Sequence, residues 1–255
     1  MLIEVASDPR FNVVTLCDWH VPYEDKEKLG LGISFCGHIK PDVIIIHEAH
    51  DFYSLSKFNK DPLRLNNLQV EIDRVGGYFK QLRDACPKSR IILLDSNHMD
   101  RLRKYLWSQA PALAGLRGLK IENLLDLEKY NIEHKDFFSI RGVIFKHGKA
   151  LRRYSAYTAK AEANEEGMSG VSGHSHRLGV YYDSRRGGDV SWVESGCLCK
   201  MNPEYVSGRP NWQSGFTLIS FRGFTNTFDT NLIEIKNDAF MWGGKTFRAK
   251  TTEKK

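Results

Sequence analysis

Residues 12–20 read N-V-V-T-L-C-D-W-H, a short apolar run that passes directly into an aspartate and a histidine. Its β-branched residues and the charges on either side predict a buried strand, Asn12–Cys17. Four further runs of this kind are Asp42–His47, Arg90–Asp95, Gly142–Lys146 and the weaker Met168–Ser172.

Helical patterns separate these strands. The longest is Leu65–Cys86, in which apolar residues recur at helical spacing until Pro87 ends the helix. Shorter helices are predicted over Asp25–Gly37, Asp100–Trp107, Ile121–Tyr130 and Ser155–Glu166. The alternation of strand and helix predicts an α/β protein with a central sheet.

From about Gly179 the sequence changes to short apolar runs joined by turns that contain Gly and Pro. Strands are predicted over Val180–Tyr182, Asp189–Glu194, Gly215–Phe221 and Asn226–Ile235, and we expect them to complete the same domain as antiparallel strands. We therefore predict one domain, residues 1–240, followed by a basic, flexible tail, residues 241–255.

The composition is that of an ordinary globular protein, with 41% hydrophobic and 27% charged residues in a chain of 255. No apolar run approaches the roughly 20 residues of a membrane helix, and the first residues lack a signal-peptide pattern. Five cysteines, an odd number, favour reduced thiols and a cytoplasmic location. We interpret the pair Cys197 and Cys199 as structural.

The net charge of +6 invites a nucleic-acid interpretation. However, the predicted tail holds five Lys and Arg against one Glu, a net of +4, so residues 1–240 carry only +2. The local charge is more informative, because Lys146, Lys149, Arg152 and Arg153 follow one another without an acid among them. They predict a basic rim that suits any phosphate ester.

Each of the five early strands ends in polar residues that can bind metal. The carboxyl ends of strands in open α/β sheets meet at one edge, so we expect these residues to converge. A single histidine of this kind is more often a solvated or core residue, but five such strand ends in succession indicate a site. The five are Asp18-Trp19-His20, His47-Glu48-Ala49-His50-Asp51, Ser96-Asn97-His98, His147-Gly148 and Gly173-His174-Ser175-His176.

The order of these motifs resembles that of the calcineurin-like metallophosphoesterases, over about Val13–Gly179. Two later stretches, Glu194–Cys199 and Gly208–Trp212, resemble phage- or prophage-encoded members. The resemblance implies a four-layer α/β/β/α sandwich with two facing mixed sheets. It also implies a centre of two divalent ions, with manganese favoured and iron, zinc, nickel or magnesium as alternatives.

The resemblance further implies a role for each motif residue. Glu48 takes the place of an aspartate that bridges both ions, and His98 is the general acid. Asp51 and Asp100 would orient neighbouring site residues without binding an ion themselves. The ligands of one ion would be Asp18, His20 and His176, and those of the other Asn97, His147 and His174.

Three residues depart from the family pattern. Glu48 is one methylene longer than the expected aspartate, His47 replaces a glycine, and Met99 displaces an acidic residue to Asp100. His47 could crowd the site or supply another ligand.

Locally, His98 could instead be a histidine packed at a helix start, and Asn97 could be the N-cap. Substrate phosphate could be bound by Arg101, Arg152, Arg153 and Arg177, although a solvated helix face is an alternative for these residues. Four aromatic residues could stack on bases, although core packing is the favoured interpretation for most of them: Trp107, Tyr154, Tyr157 and Trp212.

The favoured function is a phosphodiesterase that acts on nucleic acid (DNA or RNA) or on a nucleotide, with no membrane partner. The alternatives are a phosphomonoesterase with the same ions and a binding module that has kept an inactive site.

Overall fold

The computed structural model describes residues 10–57, 67–206 and 208–249. Strands and α-helices follow one another, and short 3-10 turns lie in some of the connections between them. In chain order they are β1 (Arg10–Leu16), α1 (Lys26–Ile39), β2 (Val43–Ile46), α2 (Leu68–Ala85), β3 (Arg90–Leu94), α3 (Met99–Gln109), α4 (Ile121–Leu124), β4 (Ile132–Lys135), β5 (Phe137–Ile140), β6 (Val143–Lys146), α5 (Tyr157–Glu166), β7 (Ser169–Ser172), β8 (Leu178–Asp183), β9 (Val190–Ser195), β10 (Gly215–Arg222), β11 (Phe228–Glu234), β12 (Ala239–Trp242) and β13 (Lys245–Arg248).

Two large sheets hold most of these strands. The first has six strands in the order β11-β10-β1-β2-β3-β4. Strands β1 to β4 pair in parallel, and β10 pairs antiparallel with both β1 and β11. The second has five strands in the order β5-β6-β7-β9-β8, with β6, β7 and β9 parallel. Both sheets are mixed, and the late strands join them as expected, except that β9 pairs parallel with β7 as well as antiparallel with β8.

The strand residues alternate between two apolar cores, as the period of two requires. Val14 and Leu16 pack with α1, α2 and α3 on the outer face of the first sheet. Val13 lies in a second core shared with Phe145 of β6 and Val171 of β7, between the sheets. A third cluster joins α5 to the outer face of the second sheet. The order of layers is therefore α/β/β/α, as predicted.

Polar contacts also connect the two sheets. The hydroxyls of Thr15 on β1 and Ser195 on β9 lie 2.6 Å apart, and Ser195 Oγ donates to Thr217 Oγ1 of β10 at 2.9 Å. All three residues are fully buried.

The helix predicted over Ile121–Tyr130 is shorter than expected. The α-helix ends at Leu124 and a 3-10 turn, Glu128–Tyr130, follows it. Asp126 and Asn131 have left-handed backbone (φ 51° and 50°), which interrupts the helix. Strands β4 and β5 follow where the sequence interpretation had none.

The prediction of a flexible tail from Met241 is wrong as far as Ala249. Strands β12 and β13 form a hairpin whose turn, Gly243-Gly244, has positive φ at both residues. The rings of Phe240 and Phe247 stack with centroids 4.8 Å apart, and Phe240 packs on Phe35 of α1. Alternating aromatic residues within the basic sequence thus anchor the hairpin, while residues 250–255 lie outside the described part.

Within the described ranges, no helix combines the length and apolar character needed to cross a membrane. All five cysteines are buried and free.

Candidate metal centre

The predicted ligand loops meet at the carboxyl edge of the sheets, around an open cavity of about 470 Å³. Glu48 is fully buried behind this cavity. The predicted site residues that line the cavity are Asp18, His20, Asp51, Asn97, His98, Arg101, His147, His174 and His176.

The first ligand set forms a tight triangle. His20 Nε2 lies 2.9 Å from His176 Nε2, and Asp18 Oδ1 lies 3.8 Å from each of these nitrogens. Two ligands bound at about 2.1 Å to one ion are about 3.0–3.4 Å apart for angles between a right angle and the tetrahedral angle. The edges of the triangle lie within about 0.4 Å of this range, so small shifts of the side chains would bring the three atoms around a single cation.

The backbone around this triangle is unusual. Asp18, His20, His174 and His176 all have left-handed backbone, with φ between 50° and 66°. Each such non-glycine residue costs of order 1–3 kcal/mol and persists only where its surroundings impose it, typically at functional sites. The loops are thus bent rather than extended, and the bend brings His20 and His176 to one centre.

Gly173 permits a close approach between the first and fifth loops. A Cβ at this residue would lie 2.7 Å from Asp18 Oδ2 and 3.3 Å from the Cβ of His47. The next residue, His174, donates its backbone N–H to Asp18 Oδ2 at 3.0 Å. A glycine before the histidine therefore fixes the carboxylate of Asp18 from the opposite sheet.

The second ligand set lies beside the first. His147 Nε2 is 2.8 Å from Asn97 Oδ1 and 3.3 Å from Glu48 Oε2. The His174 ring is 5.2 Å from that of His147, although His174 is in none of the compact donor groups found in the described ranges. Asn97 and His147 are thus brought together as predicted, with His174 at the edge of the set.

Glu48 connects the two sets. Its Oε2 faces His147, while its Oε1 lies 2.8 Å from His20 Nδ1 and 3.2 Å from His98 Nδ1. It belongs to one compact donor group with Asp18 and His147 and to another with His20 and His98, with donor atoms within 4.8 Å in each. Its contact to His20 is to Nδ1 and not to the Nε2 of the triangle, so Glu48 reaches the first set through its group with Asp18 and His147.

The donor chemistry of the cluster fits divalent cations. Among the described residues, neither Glu48 oxygen nor His147 Nδ1 has a hydrogen bond of good geometry, although all three atoms are buried. Burial, opposed by His20 and reinforced by Glu48, raises the pKa of Asp18 to about 8. Burial also lowers the pKa values of His147 and His176 well below the ordinary value, which leaves these imidazoles neutral, as metal ligands must be. At His20, burial is outweighed by the carboxylates of Glu48 and Asp51, which raise the pKa well above its ordinary value.

The start of α3 shows which of the local alternatives applies to Asn97 and His98. The N-cap residue of α3 is His98, and the backbone N–H of Met99 donates to Ser96 Oγ at 3.3 Å, so Asn97 is not the N-cap. His98 lines the cavity and its Nε2 is 3.2 Å from Arg101 Nη2. His98 therefore has the neighbour expected for a packed histidine and also faces the site.

The two predicted supporting carboxylates differ. Asp51 Oδ2 lies 3.3 Å from His20 Nδ1 and 3.2 Å from His98 Nδ1, and Asp51 Oδ1 pairs with Arg101. Burial alone would raise the pKa of Asp51, but the hydrogen bonds from His20 and His98 hold it below its ordinary value. Asp100 pairs instead with Arg103 and Lys104 on α3, so it does not support His98 as expected.

Of the four predicted substrate-binding arginines, Arg101 lines the cavity. Arg177 donates to the carbonyls of Arg152 and Asn211, and the Arg153 guanidinium lies over the Tyr154 ring. Arg152, Arg153 and Arg177 are not among the residues that line the cavity, because these contacts hold Arg177 and Arg153 elsewhere.

His47, which replaces the expected glycine, neither crowds the cavity nor lines it. Its Nδ1 lies 2.9 Å from the carbonyl oxygen of Lys146, at the end of β6 in the other sheet. Burial lowers the pKa of His47 to about 3, so the ring is neutral and donates from Nδ1 to this carbonyl. His47 thus connects the two sheets behind the metal centre.

Sequence reasoning missed Tyr53 and Tyr205, which line the cavity, and undervalued Trp212, whose ring lies 4.3 Å from that of His176. The other three aromatic residues assigned to the core are more than half exposed, so that interpretation was wrong for them: Trp107, Tyr154 and Tyr157. Loop aromatic residues carry no periodic pattern that would reveal their direction.

Two further residues were not recognised as part of the site. Glu194 of β9 accepts from Ser175 Oγ at 2.6 Å and so holds the loop between His174 and His176. Cys199 Sγ lies 3.8 Å from His176 Nδ1. A lone carboxylate inside an apolar strand, as in Val190–Ser195, is the signal that could have identified Glu194.

Comparison with known proteins identifies relatives in phages. No family model matches the sequence. The chain is 28% identical over 248 residues to the Gene 54 protein of Mycobacterium phage D29, with 91% of this chain and 96% of that protein covered. It is also 28% identical over 227 residues to the Gene 54 protein of Mycobacterium phage L5, with 83% and 89% covered.

Among solved structures, the chain is similar to Chaetomium thermophilum Vps29, with 14% identity, a TM-score of 0.41 and coverage of 89% of this chain and 86% of that chain. A structure of the same protein with a cyclic peptide gives 11% identity, a TM-score of 0.43 and coverage of 94% and 98%. The four-layer architecture itself follows from the strand order and the three apolar cores described above.

Proposed function

We propose that this protein is a metal-dependent phosphodiesterase with a centre of two divalent ions. The observation that carries the proposal is that Glu48 forms one compact donor group with Asp18 of the first set and His147 of the second. The similarity to phage proteins supports a phage or prophage origin.

The ligands would be Asp18, His20 and His176 for one ion and Asn97, His147 and His174 for the other, with Glu48 shared. Oxygen and imidazole donors without thiolate favour manganese over softer ions. Bound divalent ions would supply an activated water and would withdraw charge from the phosphoryl oxygens.

His98 is the residue that would move a proton. Its Nδ1 lies 3.2 Å from both Glu48 Oε1 and Asp51 Oδ2, which orients the ring. Its Nε2 is left to face Arg101 and the cavity. We assign to Nε2 the transfer of a proton to the leaving oxygen, a contribution of about a hundred- to ten-thousand-fold in rate.

The charge of the cavity favours a diester over a monoester. Arg101 is the one Lys or Arg among the described residues that line the cavity, and it already pairs with Asp51. A phosphodiester carries one negative charge and a monoester carries nearly two at neutral pH. A site with so little free positive charge beyond its ions suits the singly charged ester.

The test compares bis-p-nitrophenyl phosphate with p-nitrophenyl phosphate, each with added manganese. We expect faster turnover of the diester, and faster turnover of the monoester would reject the proposal. His98→Ala should keep its metal content and lose most activity on diesters with poor leaving groups, and little on those with good ones. Fewer than one ion per chain in excess manganese would identify an inactive binding module instead.

A further inference from the structure

A second groove opens from the metal cavity along α3. Its volume is about 520 Å³, and it shares Ser56, Asn97 and Arg101 with the cavity. Because three residues line both spaces, the groove and the cavity are adjacent.

One face of α3 forms the wall of this groove, which we call the α3 groove. Arg101, Lys104, Tyr105 and Ser108 line it, and their spacing of three, four and seven residues places them on one side of the helix. The face is about 10 Å long at 1.5 Å per residue. Within the described ranges, no carboxylate lines the α3 groove.

The exposed groups of this face are of two kinds. Tyr105 is 44% exposed, which leaves part of its ring available for stacking. The side chain of Lys104 is 69% exposed, and its ammonium lies 3.1 Å from Asp100, a surface pair. Such pairs contribute little, so Lys104 can exchange this partner for a phosphate at small cost.

The groove on the opposite side of Asn97 has a different charge. Its volume is about 650 Å³, and Lys146, which lines it, is already paired with Glu162 and Glu166 at 2.6 Å each. Of the predicted basic rim, Lys146 is thus neutralised. The groove is lined by Arg103, Lys146 and Lys149 and by a larger number of carboxylates, which makes it less favourable for a polyanion than the α3 groove: Asp95, Asp100, Asp136, Glu165 and Glu166.

We infer that the α3 groove binds single-stranded nucleic acid and leads it into the metal centre, an inference that rests on the proposed phosphodiesterase function. Lys104 contacts the backbone phosphates and Tyr105 stacks on an unpaired base, while Arg101 stays paired with Asp51 where the groove meets the cavity. The 10 Å face accommodates about three nucleotides at ~3.4 Å per stacked nucleotide.

Binding is measured first, without metal. Fluorescence anisotropy of a labelled twelve-residue oligothymidylate is followed in EDTA with the full chain and three variants. We expect Lys104→Glu to weaken binding about tenfold at low salt, with a salt slope lower by about 0.7, and Tyr105→Ala to weaken it about fivefold.

The matched control is Lys80→Glu on α2. Lys80 is also 69% exposed and also pairs with an aspartate four residues away, Asp84. Its reversal should change the affinity less than twofold. An equal loss in the Lys80 and Lys104 variants would mean that net charge alone governs binding and would overturn the inference.

Hydrolysis then separates the inference from the proposed function. With manganese, Lys104→Glu should cut the oligonucleotide about tenfold more slowly and bis-p-nitrophenyl phosphate at the unaltered rate. If the unaltered protein turns over neither compound, the proposed function fails, while the binding data still test the groove. If it turns over the small diester and Lys104→Glu binds and cuts the oligonucleotide normally, the groove inference is overturned. Equal affinity for a twelve-base-pair duplex would refute the single-strand assignment.

Discussion

Replacing Gly173 by alanine tests how the two sheets together position Asp18. The new Cβ would lie 2.7 Å from Asp18 Oδ2, about 0.7 Å short of the 3.4 Å at which ordinary contacts begin. The Cβ of His47, at 3.3 Å, leaves the new methyl group little room to move away from Asp18. The strain must therefore be relieved by moving the Asp18 carboxylate or the loop that carries His174.

Either movement disturbs the first ligand set. Metal ligands have to be placed within about 0.2 Å, and changes to the residues that orient them typically weaken metal binding 10- to 100-fold. The backbone hydrogen bond from His174 to Asp18 would lengthen as well. We expect manganese affinity at one of the two positions to fall 10- to 100-fold, and the free energy of unfolding to fall by about 1–3 kcal/mol.

The assay titrates manganese into chelator-treated protein in competition with a fluorescent indicator, and follows thermal unfolding in parallel. Gly77→Ala is the matched control, because its Cβ meets nothing within 4 Å and its place in α2 favours alanine by about 0.5–1 kcal/mol. That variant should bind manganese normally. Unchanged manganese affinity in Gly173→Ala, whatever its stability, would refute the role given to the close approach.

Three further changes test other parts of the molecule. Glu48→Ala should bind fewer than two manganese ions per chain after dialysis, whereas Glu48→Asp should bind two, and two ions in the alanine variant would exclude a shared ligand. Phe240→Ala should lower the free energy of unfolding in urea by about 3 kcal/mol, and a loss below about 1 kcal/mol would show that the hairpin contributes little. The hydrogen bonds from Arg90 lower the pKa of Glu133 to about 2, so their contribution is present above the ordinary pKa of 4.5 and is lost as the pH falls through 2. Glu133→Gln should therefore cost about 0.5–1 kcal/mol at pH 7 and nothing near pH 2, and a cost that does not change with pH would contradict this reasoning.

The sequence predicted the ends of strands better than the path of loops. Asp18, Asn97 and His147 follow buried strands, and the geometry of a parallel sheet requires such residues to share an edge. The alternation of Val13 and Val14 between two cores likewise follows from the strand period alone. Local pattern and global fold therefore agree for this part of the chain.

Contacts distant in sequence explain what could not be predicted. The side chain of His47 is oriented by its hydrogen bond to a carbonyl 99 residues away in sequence. The ammonium of Lys146 pairs with two glutamates of α5 and is therefore not a free cation. The hairpin beyond β11 was mistaken for a tail because charged residues outnumber aromatic residues over 241–255, although the rings of the hairpin pack on α1. None of these contacts can be recognised from the local sequence composition.

The polar contacts between the sheets have a mechanical consequence. Thr15, Ser195 and Thr217 join the layers through hydroxyls, and His47 joins them again beside the ligands. A rotation that separated the two sheets would break these buried hydrogen bonds. Each buried polar group left unsatisfied would cost about 1–3 kcal/mol. The two sheets should therefore move as one rigid body, and we expect the spacing of the two ion positions to be the same before and after the ions bind.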